Sequence, residues 1–158
     1  MKGPLYALLF AAFCLPASLP AQSATLTGDW VEPEGSVIRV ETCSTGLCMK
    51  LVFISPTARG TNDFNNPSEA LRNRPLCGLE IGSNFKPQDN KRATDGTLYD
   101  PKTGKTYRGV MTLDGADLKL RGYISTPLFG RTEVWHRAAG TAMCSTGPAH
   151  PHVDHVGK

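Results

Sequence analysis

From Ser36 onward, polar and apolar residues alternate with a period of two. Ile38, Val40 and Thr42 fall on one face, with Arg39, Glu41 and Cys43 on the other. Beyond Ser44-Thr45-Gly46 the alternation resumes, with Met49, Leu51 and Phe53 on one face and Cys48, Lys50 and Val52 on the other. Such alternation marks half-buried strands, and this stretch predicts a β-hairpin. If Cys43 pairs with Cys48, counting back sets Thr42 opposite Met49, Glu41 opposite Lys50, Val40 opposite Leu51 and Ile38 opposite Phe53. Apolar then meets apolar and acid meets base. A slip of one residue would turn every side chain to the wrong face.

A second hairpin turns at Asp114-Gly115-Ala116-Asp117. Its register sets Leu113 opposite Leu118, Met111 opposite Leu120, Gly109 opposite Gly122 and Tyr107 opposite Ile124 on the inner face. Two facing glycines either let the sheet bend or leave floor space for a ligand, and the bend is the plainer reading. Further strands are expected at residues 26–32, 76–81, 97–99 and 132–137, with turns at Glu34-Gly35, Asp95-Gly96 and Lys102-Thr103-Gly104. Asn66-Pro67-Ser68-Glu69 has the order of a helix start, with a capping residue, a first-turn proline and an acidic third residue, so one short helix is expected in the long loop. No long helical period occurs after the first 23 residues. Short strands joined by Gly-rich and Asp-rich turns point to an all-β, antiparallel barrel or sandwich.

Composition narrows this further. The chain has 158 residues, 17 Lys plus Arg against 14 Asp plus Glu, and 5 Cys. A formal charge of +3 supplies no basic stripe of the kind that nucleic acid needs. Met1-Lys2, the apolar run from Leu5 to Leu15 and the small, Pro-broken stretch to Ser23 have the layout of a secretory signal peptide. Pro16 and Pro20 break it short of a membrane span. Cleavage after Ser23 would leave 16 basic against 14 acidic residues, a net of +2, in a secreted or periplasmic product with no stable membrane insertion. Cys14 leaves with that segment, so Cys43, Cys48, Cys77 and Cys144 remain, an even set that reads as disulfides in an oxidising compartment. Three connectivities are open. The hairpin register favours Cys43–Cys48, which leaves Cys77 for Cys144.

Several segments resemble one family in consistent order from Thr27 to Arg137. They are Gly28-Asp29-Trp30; Asn66-Pro67 followed by Leu71-Arg72-Asn73-Arg74-Pro75-Leu76 and Gly78-Leu79; Leu98-Tyr99-Asp100-Pro101 with Gly104-Lys105-Thr106-Tyr107; and Arg121-Gly122-Tyr123 with Leu128-Phe129-Gly130-Arg131 and Trp135-His136-Arg137. The family is an exported bacterial one, domain of unknown function 2147. The resemblance implies a lipocalin-like (calycin) barrel of about eight strands over residues 24–137. It also implies barrel closure by Arg137, from the last strand, stacked on Trp30 of the first.

Residues 138–158 lack apolar periodicity and read as a disordered tail. His150, His152 and His155 there could collect a transition metal, although a solvated tail with incidental affinity is the plainer reading. Asp63, Asn66, Arg72 and Arg74 form a polar cluster in the long loop, which reads as structural pairing ahead of a binding site. No nucleophile elbow, zinc-protease motif, phosphate loop or dinucleotide fingerprint occurs, so neither enzyme chemistry nor a cofactor is expected. The first functional expectation is a small, largely apolar ligand inside the barrel, with Phe53, Tyr99, Tyr107, Gly109, Met111 and Gly122 as candidate contacts. The alternatives are an envelope interaction module with a filled barrel and an unidentified protein partner, or metal capture by the tail.

Overall fold

The computed structural model describes residues 25–58, 60–140 and Cys144. Eight antiparallel strands close into a barrel in sequence order. They are β1 (Gly28–Val31), β2 (Val37–Cys43), β3 (Gly46–Phe53), β4 (Glu80–Pro87), β5 (Arg92–Asp100), β6 (Lys105–Asp114), β7 (Asp117–Tyr123) and β8 (Arg131–Arg137). β8 pairs back onto β1, with Trp30 beside Arg137, so the sheet has no free edge. The inner rows expected from alternation are buried: Ile38, Val40, Leu51, Met111, Leu113, Leu118 and Leu120, joined by Trp30, Met49, Phe85 and Trp135.

The β6–β7 hairpin has the expected register, with Gly109 beside Gly122 and Met111 beside Leu120. The β2–β3 hairpin differs by two residues. Val40 faces Met49, Ile38 faces Leu51, and Cys43 faces Gly46 across a two-residue turn. A two-residue shift keeps every side chain on its own face, so the hydrophobic pattern cannot detect it. Gly46, at φ 132°, makes the tighter turn possible. Cys43 and Cys48 are disulfide-bonded with Cα atoms 5.8 Å apart, diagonally rather than face to face. A bulge between Val37 and Ile38 sets Phe53 beside Val37, not Ile38.

Other expectations shift too. The fourth strand lies at Glu80–Pro87, beyond the expected 76–81, and Leu76 to Leu79 form the approach to it, with the Gly78 N–H donating to the Leu51 carbonyl at 2.8 Å. Asp95-Gly96 is a bulge inside β5, with Asp95 at φ 58°, rather than a turn between strands. The expected helix is a three-residue 3₁₀ turn, Glu69–Leu71. Asn66 still supports it, its Oδ1 accepting the Ser68 N–H at 2.9 Å. A second 3₁₀ turn, Pro127–Phe129, was not signalled by any alternation. Ile124, expected on the inner face opposite Tyr107, lies past the end of β7 and is exposed.

Candidate functional site

Of the two facing glycines, Gly109 leaves no floor space for a ligand. Phe85, from β4, is fully buried, and its ring lies across the places where Gly96 and Gly109 would carry side chains. A methyl on Gly96 would overlap the ring, and one on Gly109 would come within 2.8 Å of Phe85 Cζ and of Leu98 Cδ1. Met49 fills the space over Gly82 in the same way, 2.6 Å from a methyl placed there. Three strands thus give up side chains so that larger ones from other strands can occupy the axis of the barrel. Gly122 is different, since a methyl there would meet Leu98 and Tyr107 at an ordinary 3.8 Å.

The six candidate ligand contacts are therefore not one site. Gly109 and Met111 belong to the packed interior. Gly122 and Tyr107 lie nearer the end that carries the β1–β2, β3–β4, β5–β6 and β7–β8 connections, with Tyr107 packed on the core. Phe53 ends its strand beside Val37. Tyr99 does not face the interior: its neighbours Leu98 and Tyr107 pair on the inner face, and Tyr99 pairs with Thr106 on the outer one.

Tyr99 instead joins the polar cluster of the long loop. Its hydroxyl donates to Asp63 Oδ1 at 2.6 Å and accepts from Asn66 Nδ2 at 3.1 Å. Asp63, fully buried, also accepts from Asn66 at 2.7 Å and from Arg74 Nε at 2.8 Å, and the Arg74 guanidinium lies 5.6 Å from the Tyr99 ring centre. Arg72 donates to the Asn66 carbonyl at 2.9 Å. Burial, and then the Asp63 carboxylate, push the Tyr99 phenol above its ordinary value, because both disfavour a second negative charge. Every buried polar side-chain atom among the described residues has a partner, and the cluster clamps the loop to β5. The same end is bridged elsewhere: Lys102, on the β5–β6 turn, reaches Glu34 at 2.9 Å and Glu32 at 3.4 Å, and Asn65 donates to the Lys102 carbonyl at 2.9 Å.

Closure follows the expected pair. The Arg137 guanidinium lies 3.7 Å from the Trp30 ring centre and donates to the carbonyls of Thr27 and Thr25 at 2.8 and 2.7 Å. A side chain on Gly28 would occupy the guanidinium's place, which gives the Gly-Asp-Trp motif its physical meaning. Burial lowers the Arg137 pKa from its ordinary value. Cys144 returns to the barrel, its N–H donating to the Val52 carbonyl at 2.6 Å, and its thiol lies against that of Cys77; the two are unbonded. His136 meets Asp117 at 2.8 Å. His150, His152 and His155 lie outside the described residues.

What alternation could not foresee is on the outer wall. A concavity of about 270 Å³ runs over β5 to β8, with Arg92, Lys119 and Arg121 around Val110, Thr112 and Pro127. Beside it the β7–β8 connection holds out Leu128 and Phe129. The only sequence signal was two large apolar residues set between Pro127 and Gly130, outside any strand pattern.

Among the described residues no helix is long and apolar enough to cross a membrane. No curated protein matches the chain. A solved structure of a Helicobacter pylori protein, described as belonging to the lipocalin family, has the same fold: TM-score 0.67 at 21% identity, covering 74% of this chain and 85% of that one. At that identity the likeness speaks for the fold alone. Residues 28–137 match the model of the family described as uncharacterised protein conserved in bacteria, and with the lipocalin-like barrel and its Trp30–Arg137 closure the chain belongs to the DUF2147 family.

Proposed function

We propose that this is an exported envelope protein whose lipocalin-like barrel is a filled scaffold and whose working surface is its outside. The observation that carries this reading is Phe85 lying across Gly96 and Gly109, with Trp30, Met49, Met111 and Leu118 fully buried around the axis. A barrel of about eight strands can be filled by side chains or hold one small ligand. Here glycines are spent on making room for the protein's own ring. The layout of residues 1–23 supports export, and the Cys43–Cys48 bond suits an oxidising compartment.

The test is native mass spectrometry of the protein released from its own envelope, with thermal melting across a panel of lipids and small apolar molecules. The expected result is the apo mass and no shift in melting temperature. A retained small molecule would overturn the filled-scaffold reading in favour of a carrier. That second reading rests on the inner wall of Leu51, Leu98, Leu120 and Tyr107 at the end of the barrel where Gly122 leaves ordinary contact distances.

A further inference from the structure

Three large apolar side chains stand out from the connection between β7 and β8. Ile124, Leu128 and Phe129 are 78%, 79% and 82% exposed. Single exposed apolar residues need no explanation, but three on one short connection do. The connection is also built, not loose. Arg121 donates from Nε to the Pro127 carbonyl, from Nη2 to the Leu128 carbonyl at 3.2 Å, and from Nη1 to the Thr132 hydroxyl at 2.8 Å. The Phe129 N–H bonds the Thr126 carbonyl at 3.2 Å, and Gly130 sits so close to the Gly122 carbonyl that a methyl would come within 2.7 Å of it. Hydrogen bonds therefore hold Leu128 and Phe129 out in water instead of letting them fold onto the barrel.

The surroundings are cationic. Lys119 and Arg121 of β7 line the concavity, whereas Arg131, opposite Gly122, and Arg137, over Trp30, lie on the inner face, and Asp117 pairs with His136. Glu133, like Arg131, is on the inward-facing row of β8, and it accepts the Trp135 N–H at 3.1 Å. Arg92 adds a further cation at the concavity. Two nearby acids, Asp114 and Asp95, pair with Lys119 and Arg108.

We infer that this wall docks the protein on an anionic lipid bilayer. Ile124, Leu128 and Phe129 enter the acyl region, and Arg92 and Arg121 of the outer wall meet the phosphate headgroups. A second copy of the chain fits worse. A two-fold interface on this face would set arginines against arginines, whereas an anionic headgroup layer complements both the charge and the narrow apolar tip. The inference rests on the proposal that the outside of the barrel is the working surface.

The test is co-sedimentation of the purified protein with vesicles of phosphatidylglycerol and phosphatidylethanolamine, compared with phosphatidylcholine alone. Partitioning to the anionic vesicles is expected to be stronger by at least about tenfold and to weaken as salt is raised. L128S/F129S, at exposed positions, is expected to lose at least about tenfold of that binding with an unchanged melting temperature. R92Q is expected to weaken the preference for phosphatidylglycerol. Equal binding to phosphatidylcholine, no binding, or full binding by L128S/F129S would overturn the inference. So would a dimer in size-exclusion chromatography that L128S/F129S dissociates, since it would assign the tip to self-association. Each of these failures leaves the filled scaffold standing if the native mass is that of the apo protein, whereas a retained ligand would remove the scaffold reading itself.

Discussion

Gly96→Ala places a single methyl where the barrel has no room for it. The added carbon would overlap Cδ1, Cε1 and Cγ of Phe85, a fully buried ring that cannot swing into solvent. Nor can the ring slide away along the axis, because Gly109, 2.8 Å from Cζ by the same measure, marks its other contact. Overpacking of this kind costs about 1–3 kcal/mol. For a domain of this size, that lowers the melting temperature by roughly 4 °C per kcal/mol. Gly122→Ala is the internal control, since its methyl would meet nothing nearer than 3.8 Å, and its effect is expected to stay within about 0.5 kcal/mol. Urea unfolding followed by tryptophan fluorescence measures both. Phe85→Leu sharpens the experiment, because a smaller side chain at 85 gives the new methyl space. The double variant should then cost less than the two single costs added together. Equal stabilities for Gly96→Ala and Gly122→Ala, or strict additivity with Phe85→Leu, would refute the reasoning.

The remaining expectations concern the staples. Oxidation of Cys77 and Cys144 by an envelope disulfide donor is expected to leave no free thiol in the secreted protein and to close a long loop worth about 4 kcal/mol in the chain-entropy model. Two titratable thiols after native secretion, or a Cys144→Ser variant of unchanged stability, would contradict this. In the reduced protein, burial first and the Cys77 thiol second push the Cys144 thiol from 9.0 up to about 11. A raised value means that the fold favours the protonated thiol, so this stabilisation is intact below pH 9 and is lost as pH rises towards about 11; denaturation of reduced wild type against Cys144→Ser across that range reads it directly. Arg137→Ala removes the cation over Trp30 and two hydrogen bonds to carbonyls, for an expected loss of about 2 kcal/mol by thermal melting. Asp63→Asn leaves the Arg74 charge without its carboxylate and is expected to cost about 3 kcal/mol; spectrophotometric titration should also show Tyr99 ionising at lower pH, and an unmoved Tyr99 would count against the network.

The barrel was legible where one face is buried and the other wet. Ile38, Val40, Met111 and Leu120 announce their strands because a period of two meets a single core. The β6–β7 register followed as well, since its turn residues fix the loop length. The β2–β3 register did not follow, because shifts by an even number preserve every face and only the Ser44-Thr45 turn separates them. β4 was hidden by its own chemistry: Gly82, Ser83, Asn84 and Pro87 read as loop, yet Asn84 at φ 59° and the bulges against β3 absorb them. The loop cluster was legible as residues but not as a network, because nothing in the spacing of Asp63 and Tyr99, 36 positions apart, says that they touch. The glycine floor was seen as glycines without their occupant, since Phe85 arrives from a strand the pattern misplaced. The apolar tip at Leu128 and Phe129 obeys no period at all.

The central claim, that the barrel is filled by its own side chains, is tested most directly by NMR of the isotopically labelled protein. If Phe85 lies across Gly96 and Gly109, the α-protons of both glycines should show strong nuclear Overhauser contacts with the Phe85 ring and ring-current shifts away from ordinary glycine values, unchanged when apolar ligands are added. Absent contacts, unshifted glycine signals, or a Phe85 ring displaced by an added ligand would contradict it.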